Sequence, residues 1–127
     1  MKKIILFVCI TTFISCKSFF QLSPDKELAE KIKSEYLKEK KPVDLMKITD
    51  FDWDNYLLIF VYEIPEQVGK KYKVDLSNIS EYATADESKY ILVFLKNKKA
   101  IKICDLSCGV GINKNKILKI KPSSCAK

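Results

Sequence analysis

The first sixteen residues constrain everything after them, because they set how much chain is left to fold and in which compartment it folds. Lys2 and Lys3 place positive charge at the start. Ile4 to Ile14 is an apolar run of eleven residues broken only by Thr11 and Thr12, and Ser15 and Cys16 close it. Charge, then a short apolar stretch, then a small residue is the pattern of an export signal. Eleven residues are too few for a membrane-spanning helix, which needs roughly 20. A core strand is a poor alternative, since it would have to begin with two lysines at the extreme terminus. Loss of residues 1–15 from 127 leaves 112, enough for one domain with one core.

The end of this stretch, Phe13-Ile14-Ser15-Cys16, resembles the lipobox of bacterial lipoproteins: a large apolar residue, a tolerant position, a small residue, then Cys. The resemblance implies cleavage before Cys16 and diacylglycerol on its sulfur, so that the membrane is a partner through the N-terminal lipid. Each buried acyl CH2 contributes about 0.8 kcal/mol, and two or three chains acting together make a durable anchor. Lys17, rather than Asp, follows the lipid-bearing Cys. In the resemblance this favours the outer membrane, facing the periplasm, in an organism that has one. The expected organisation is a signal peptide over 1–15, a lipidated tether over 16–23 and a small α+β domain over 24–127. Phe19 and Phe20 in the tether can meet the membrane interface or cap the core.

Composition narrows the chemistry. All 23 basic residues are Lys, and there is no His. Without Lys2 and Lys3, 21 lysines face 16 acidic residues, a balance of +5. Lysines are point charges without the planar fork that reads phosphate or base edges in pairs, and export separates the chain from cytosolic nucleic acid. No nucleic-acid partner is expected. A solvated lysine surface, or attraction to anionic headgroups and envelope polymers, accounts for the charge. The missing histidines exclude Ser-His-Asp and Cys-His pairs and His-based zinc sites. Lys and carboxylates could still act as bases, but nothing in their spacing points to it. The sequence supplies no catalytic residue, metal ligand set, cofactor or small-molecule substrate.

Along the chain, Ser23 reads as a helix N-cap with Pro24 at the first helical position. Leu28, Ile32 and Tyr36, flanked by Ala29 and Leu37, form an apolar stripe at helical spacing, and Pro42 ends the segment. This predicts an amphipathic helix over Pro24 to Lys40, packed on a sheet. Asp50, Asp52 and Asp54 alternate with Phe51 and Trp53, which puts three carboxylates on one face of extended chain. A calcium loop of the EF-hand kind would then need Gly at position 55 and Glu at position 61, where Asn55 and Val61 stand, so an acidic edge or cap is the better reading. Tyr56 to Tyr62 is strand-length and apolar on both faces, predicting a central strand. Glu63 to Tyr72, where Pro65 is followed by Glu66, Gln67, Val68, Lys70 and Lys71, allows a short two-turn helix weakened by Gly69 by roughly 1 kcal/mol. Asp75 to Ser88 reads as a loop with room for one short strand.

Tyr90 to Lys96 and Lys99 to Cys104 predict a hairpin about Asn97-Lys98. A two-residue turn sets Leu92 opposite Ile103 and Phe94 opposite Ile101 on the face that meets the helix. The face with Ile91, Val93 and Leu95 is then half-wet. Gly109 and Gly111 mark a loop, with no phosphate-binding context. Lys116 to Lys121 predicts an edge strand guarded by lysines. The fold class expected is α+β, one N-terminal amphipathic helix packed on an antiparallel sheet of about four strands.

Three cysteines remain beyond Cys16: Cys104, Cys108 and Cys125, an odd number for an oxidising compartment. If the last strand forms a hairpin with Lys99–Cys104, a turn at Asp105-Leu106-Ser107 favours Cys104–Cys108 and leaves Cys125 free or intermolecular. A competing layout pairs the last strand elsewhere and brings Cys125 back to Cys108.

Phe51-Asp52-Trp53-Asp54 before Leu57-Leu58-Ile59-Phe60, with Tyr62, Pro65-Glu66 and the later Val93-Phe94-Leu95-Lys96, is similar to a family of small exported bacterial proteins. That family has an F-x-W-D strand motif and a V-F-x-K hairpin. Val61 stands where that pattern has Pro, and Lys98 where it has Gly. The resemblance implies structural roles for Trp53, as a core aromatic, and Asp54, as a backbone cap; it carries no activity. The expectation is a lipid-anchored envelope protein, a non-enzymatic binding or structural module with an envelope protein as possible partner. The alternative is an immunity or inhibitor-type lipoprotein that neutralises a toxin or hydrolase.

Overall fold

In a computed structural model of the chain, residues 21–80, 88–113 and 115–119 are described. The export segment with Cys16, the tether phenylalanines and Cys125 lie outside them. Helix α1 (Lys26–Glu39) comes first, followed by a single helical turn α2 (Leu45–Ile48), strand β1 (Asn55–Ile59), helix α3 (Pro65–Tyr72), and strands β2 (Lys89–Lys96), β3 (Lys99–Ser107) and β4 (Ile117–Lys119). The sheet order is β3-β2-β1-β4. Three strands are antiparallel and β4 joins β1 in parallel, so the fold is α+β, but the expected all-antiparallel sheet is corrected at its last strand.

The helix start also differs from expectation. Asp25, not Ser23, is the N-cap: its carboxylate accepts from Leu28 N–H at 3.0 Å. Pro24 is instead bridged to Ile103, and Asp25 N–H donates to Ile103 O at 2.9 Å, which keeps both residues extended. Leu28 and Ile32 are buried under α1 and Tyr36 partly so, whereas Leu37 points to solvent. The helix ends with Lys40 in the left-handed region at φ 55°.

The hairpin turn is where expected, with Asn97 and Lys98 at φ 53° and 65°. Its register is not. Lys96 pairs with Lys99 and Leu95 with Ala100, but Phe94 then pairs with Lys102, leaving Ile101 as the extra residue of a bulge. Beyond that point Leu92 faces Cys104 and Val93 faces Ile103. Bulges of this kind shift every later side chain by one partner.

Both faces of the sheet are covered. Tyr56, Leu58, Leu92, Phe94, Cys104 and Leu106 meet α1 and α2. Ile91, Val93 and Leu95, expected on a half-wet face of β2, are buried with Leu57, Ile59 and Ile103 against Val68 of α3 and against Leu76 and Ile79. Double burial explains why β1 and β2 are apolar at almost every position.

The segment after β3 crosses the α1 side of the sheet to reach β4. Val43 N–H donates to Gly111 O and Asn113 N–H to Val43 O, while the hydroxyls of Tyr90 and Tyr56 donate to the carbonyls of Val110 and Asn113. Burial first, then the Asp44 charge, pushes the Tyr56 hydroxyl up to about 12, so it stays a donor at any ordinary pH. Buried hydroxyls need such partners.

Candidate functional site

Four polar features of the described residues were expected to matter, or emerge as candidates: the Asp-x-Asp-x-Asp run, a lysine beside carboxylates, the cysteines, and a cavity under α3.

Phe51 and Trp53 turn inward from the acidic run and pack edge-on against Phe94, with ring centroids 5.0 and 5.2 Å away. The alternate residues point out. Lys96 Nζ donates to Asp52 Oδ2 at 2.5 Å, and Asn97 N–H donates to Asp54 Oδ2 at 2.6 Å. These carboxylates grip the β2–β3 turn. Trp53 is buried, with Nε1–H donating to Thr49 Oγ1 at 2.9 Å, whose own hydroxyl donates to Leu45 O. Trp53 and Asp54 thus stand as core aromatic and backbone cap. Among the described residues no group of three or more acidic or cysteine side chains is arranged to hold a metal ion.

Lys102, shifted onto the α1 side by the bulge, donates to Asp25 Oδ2 at 2.9 Å and lies 4.8 Å above the Phe51 ring. Glu27, Lys31 and Asp50 complete a hollow of about 360 Å³ here. The hydrogen bond to Asp25 is the chief cause holding the Lys102 ammonium above its usual range, and the same bond, with Leu28 N–H, holds the Asp25 carboxyl below its own. A lysine acting as nucleophile or base needs the opposite shift, toward the neutral amine. The pair fixes the start of α1 to β3.

Cys104 is a free thiol, fully buried opposite Leu92. Burial pushes it up to about 12, with the Asp25 charge adding to the shift, so no thiolate forms there at neutral pH. The expected Cys104–Cys108 bridge is therefore corrected. Strand β3 continues to Ser107 where a turn was expected, and four residues of extended chain span about 13 Å, against a Cα limit of about 7 Å for a disulfide. Cys108 is disulfide-bonded, and Cys104 is not its partner. Cys16 and Cys125 lie outside the described residues.

The remaining feature was missed in the sequence. A cavity of about 680 Å³ lies where α3 meets the segment after it, lined by Gln21, Ile64, Glu66, Lys70, Lys73 and Asp75 among others. Its floor is tight because Gly69 allows it. A Cβ on Gly69 would come within 2.8 Å of Val74 O and 3.4 Å of Leu76 Cγ. Next to it the chain turns sharply: Glu63 N–H donates to Phe60 O, and Glu63 Oε1 accepts from Phe60 N–H. At the tip Tyr62 has φ 68° and is 76% exposed, and Ile64 is 43% exposed. Pro65 before a polar octad, with Gly69 inside it, was the only sequence signal for this face. No protein-family model, curated protein or solved structure matches the chain.

Proposed function

We propose that this chain is an exported, lipid-anchored protein of the cell envelope whose domain is a non-enzymatic binding or structural module. The observation that carries the proposal is the N-terminal order of Lys2-Lys3, the apolar run Ile4–Ile14 and Ser15-Cys16, which supplies charge, a run too short to span, and an acylation site. The polar groups of the domain support it. Lys102 and Asp25 are held in their charged forms by each other, Cys104 is held neutral, and Asp52 and Asp54 are engaged with the hairpin turn. Each of these groups is engaged in the architecture, and Lys102 and Cys104 are held in the protonated forms that are poor bases and nucleophiles.

Expression of the full chain in a lipoprotein-processing bacterium tests this. Globomycin, or Cys16→Ala, should leave a heavier unprocessed precursor, and the mature N-terminal peptide should carry diacylglycerol on Cys16. A normally cleaved, lipid-free product from the Cys16→Ala gene overturns the reading.

A further inference from the structure

We propose that the face carrying the Phe60–Glu63 turn and helix α3, with Tyr62, Ile64, Lys70, Lys71 and Lys73, rests on the headgroup layer of an anionic lipid bilayer. The inference builds on lipid attachment at Cys16. Gln21 lines the cavity beside Ile64, Lys70 and Lys73, and Leu22 N–H donates to Asn78 O at 2.8 Å while its side chain packs on the α3 side of the sheet. The chain therefore enters the domain at this face. Four residues lie between Cys16 and Gln21, five chain steps with a reach of at most about 18 Å when fully extended. The headgroup layer itself takes up roughly 5–8 Å on each side of the hydrocarbon core. A tether this short holds the domain against the surface and selects which side faces it.

The chosen side has the chemistry of an interfacial surface. Tyr62 and Ile64 are two of the four exposed large hydrophobic residues among those described, and only one residue separates them. An L-residue in the left-handed region costs about 1–2 kcal/mol, yet Tyr62 is held there at φ 68° with its ring outward. Tyr suits the headgroup depth, with an apolar ring and a polar tip. Behind it Lys70, Lys71 and Lys73 are all exposed. Three described carboxylates neighbour these amines: Glu66, 3.8 Å from Lys70, Asp75, which lines the same cavity and accepts from Ser77, and Glu63, which accepts from Phe60 N–H. Lysines near an anionic surface contribute about 1 kcal/mol each.

Tryptophan quenching by lipid bromines reads the orientation directly. The full lipidated chain is reconstituted in vesicles of phosphatidylglycerol and phosphatidylcholine, with brominated or ordinary acyl chains. Native Trp53 is buried and serves as the baseline. Tyr62→Trp should be quenched about twofold or more relative to Leu37→Trp, a position also well exposed (62% against 76%) but on α1, across the sheet. Lys70→Glu with Lys73→Glu should reduce that excess. Equal quenching at both positions, with the lipid verified on Cys16 by mass spectrometry, overturns the orientation and leaves the anchor standing. A Cys16 peptide without lipid overturns the anchor, and the tether argument with it.

Discussion

Gly69→Ala is the substitution at which local propensity and packing give opposite answers. Gly69 lies in the interior of α3, where Ala is favoured over Gly by about 1 kcal/mol. Burying one more methyl would add about 0.8 kcal/mol. Against this, the new Cβ would lie 2.8 Å from the Val74 carbonyl oxygen, and the oxygen would have to retreat by more than half an ångström. It is poorly placed to do so. Val74 N–H donates to Gly69 O at 2.9 Å, Asp75 N–H to Lys98 O at 2.7 Å and Ala100 N–H to Asp75 O at 3.0 Å. Overpacking typically costs about 1–3 kcal/mol, and each strained hydrogen bond about 1 kcal/mol. The expected net result is destabilisation by about 1–2 kcal/mol. With a urea slope of about 1–1.5 kcal/mol/M for a domain of this size, the midpoint should fall by roughly 1 M. Gln67→Ala on the exposed side of the same helix should be neutral or slightly stabilising. A Gly69→Ala midpoint at or above that of the parent, with an unchanged slope, would refute the close approach of α3 to Val74.

Three further outcomes follow from single contacts. Lys98→Gly should raise stability by about 0.5–1 kcal/mol, or a few degrees in Tm, because Lys98 sits at φ 65° where glycine has no steric penalty; a lower Tm would mean that the Lys98 side chain contributes something unseen. Asp25→Asn keeps a capping oxygen and removes the charge, so it should cost about 0.5–1 kcal/mol at neutral pH. Since Lys102 depresses the Asp25 carboxyl, that stabilisation is present above the unfolded value near 4 and lost as pH falls through the folded one; a gap between parent and variant that is the same at pH 7 and pH 2 would refute it. For Cys108 the expected partner is Cys125, and non-reducing peptide mapping should recover that linked pair. Closing a loop of this length is worth about 3 kcal/mol, and a Cys104-containing linked peptide would sink the assignment.

Where side chains repeat along a single element, the sequence was legible. The stripe of Leu28, Ile32 and Tyr36 did mark the buried side of α1. The apolar run Tyr56–Tyr62 did lie inside the sheet as far as Ile59, but the strand ends there and Tyr62 is exposed. Asn97 did mark the turn. Boundaries failed where a residue had two possible partners. Ser23 and Asp25 both suit an N-cap, and the choice fell to Asp25 because its second oxygen also reaches Lys102, 77 residues away. That contact depends on the bulge. Without it Lys102 would pair with Val93 and lie on the α3 side.

The bulge at Ile101 is thus the least legible feature and the one with the widest consequences. Read as a regular hairpin, Lys99-Ala100-Ile101-Lys102-Ile103-Cys104 alternates cleanly, and no Gly or Pro announces an irregularity. The regular register would put Lys102 opposite Val93 among Ile91 and Leu95, three side chains that are fully buried. An isolated ammonium there would lose most of its hydration. One unpaired residue costs the ladder a little pairing, and in return Lys102 reaches Asp25 and the Phe51 ring while Ile103 fills the α3 side. The same shift moves Cys104 from a place opposite Ile91 to one opposite Leu92, on the α1 side of the sheet. Strand β3 then runs on to Ser107 and carries Cys108 out of reach of Cys104 in either register. The bulge decides which face Cys104 occupies, and the length of the strand decides that the two stay apart.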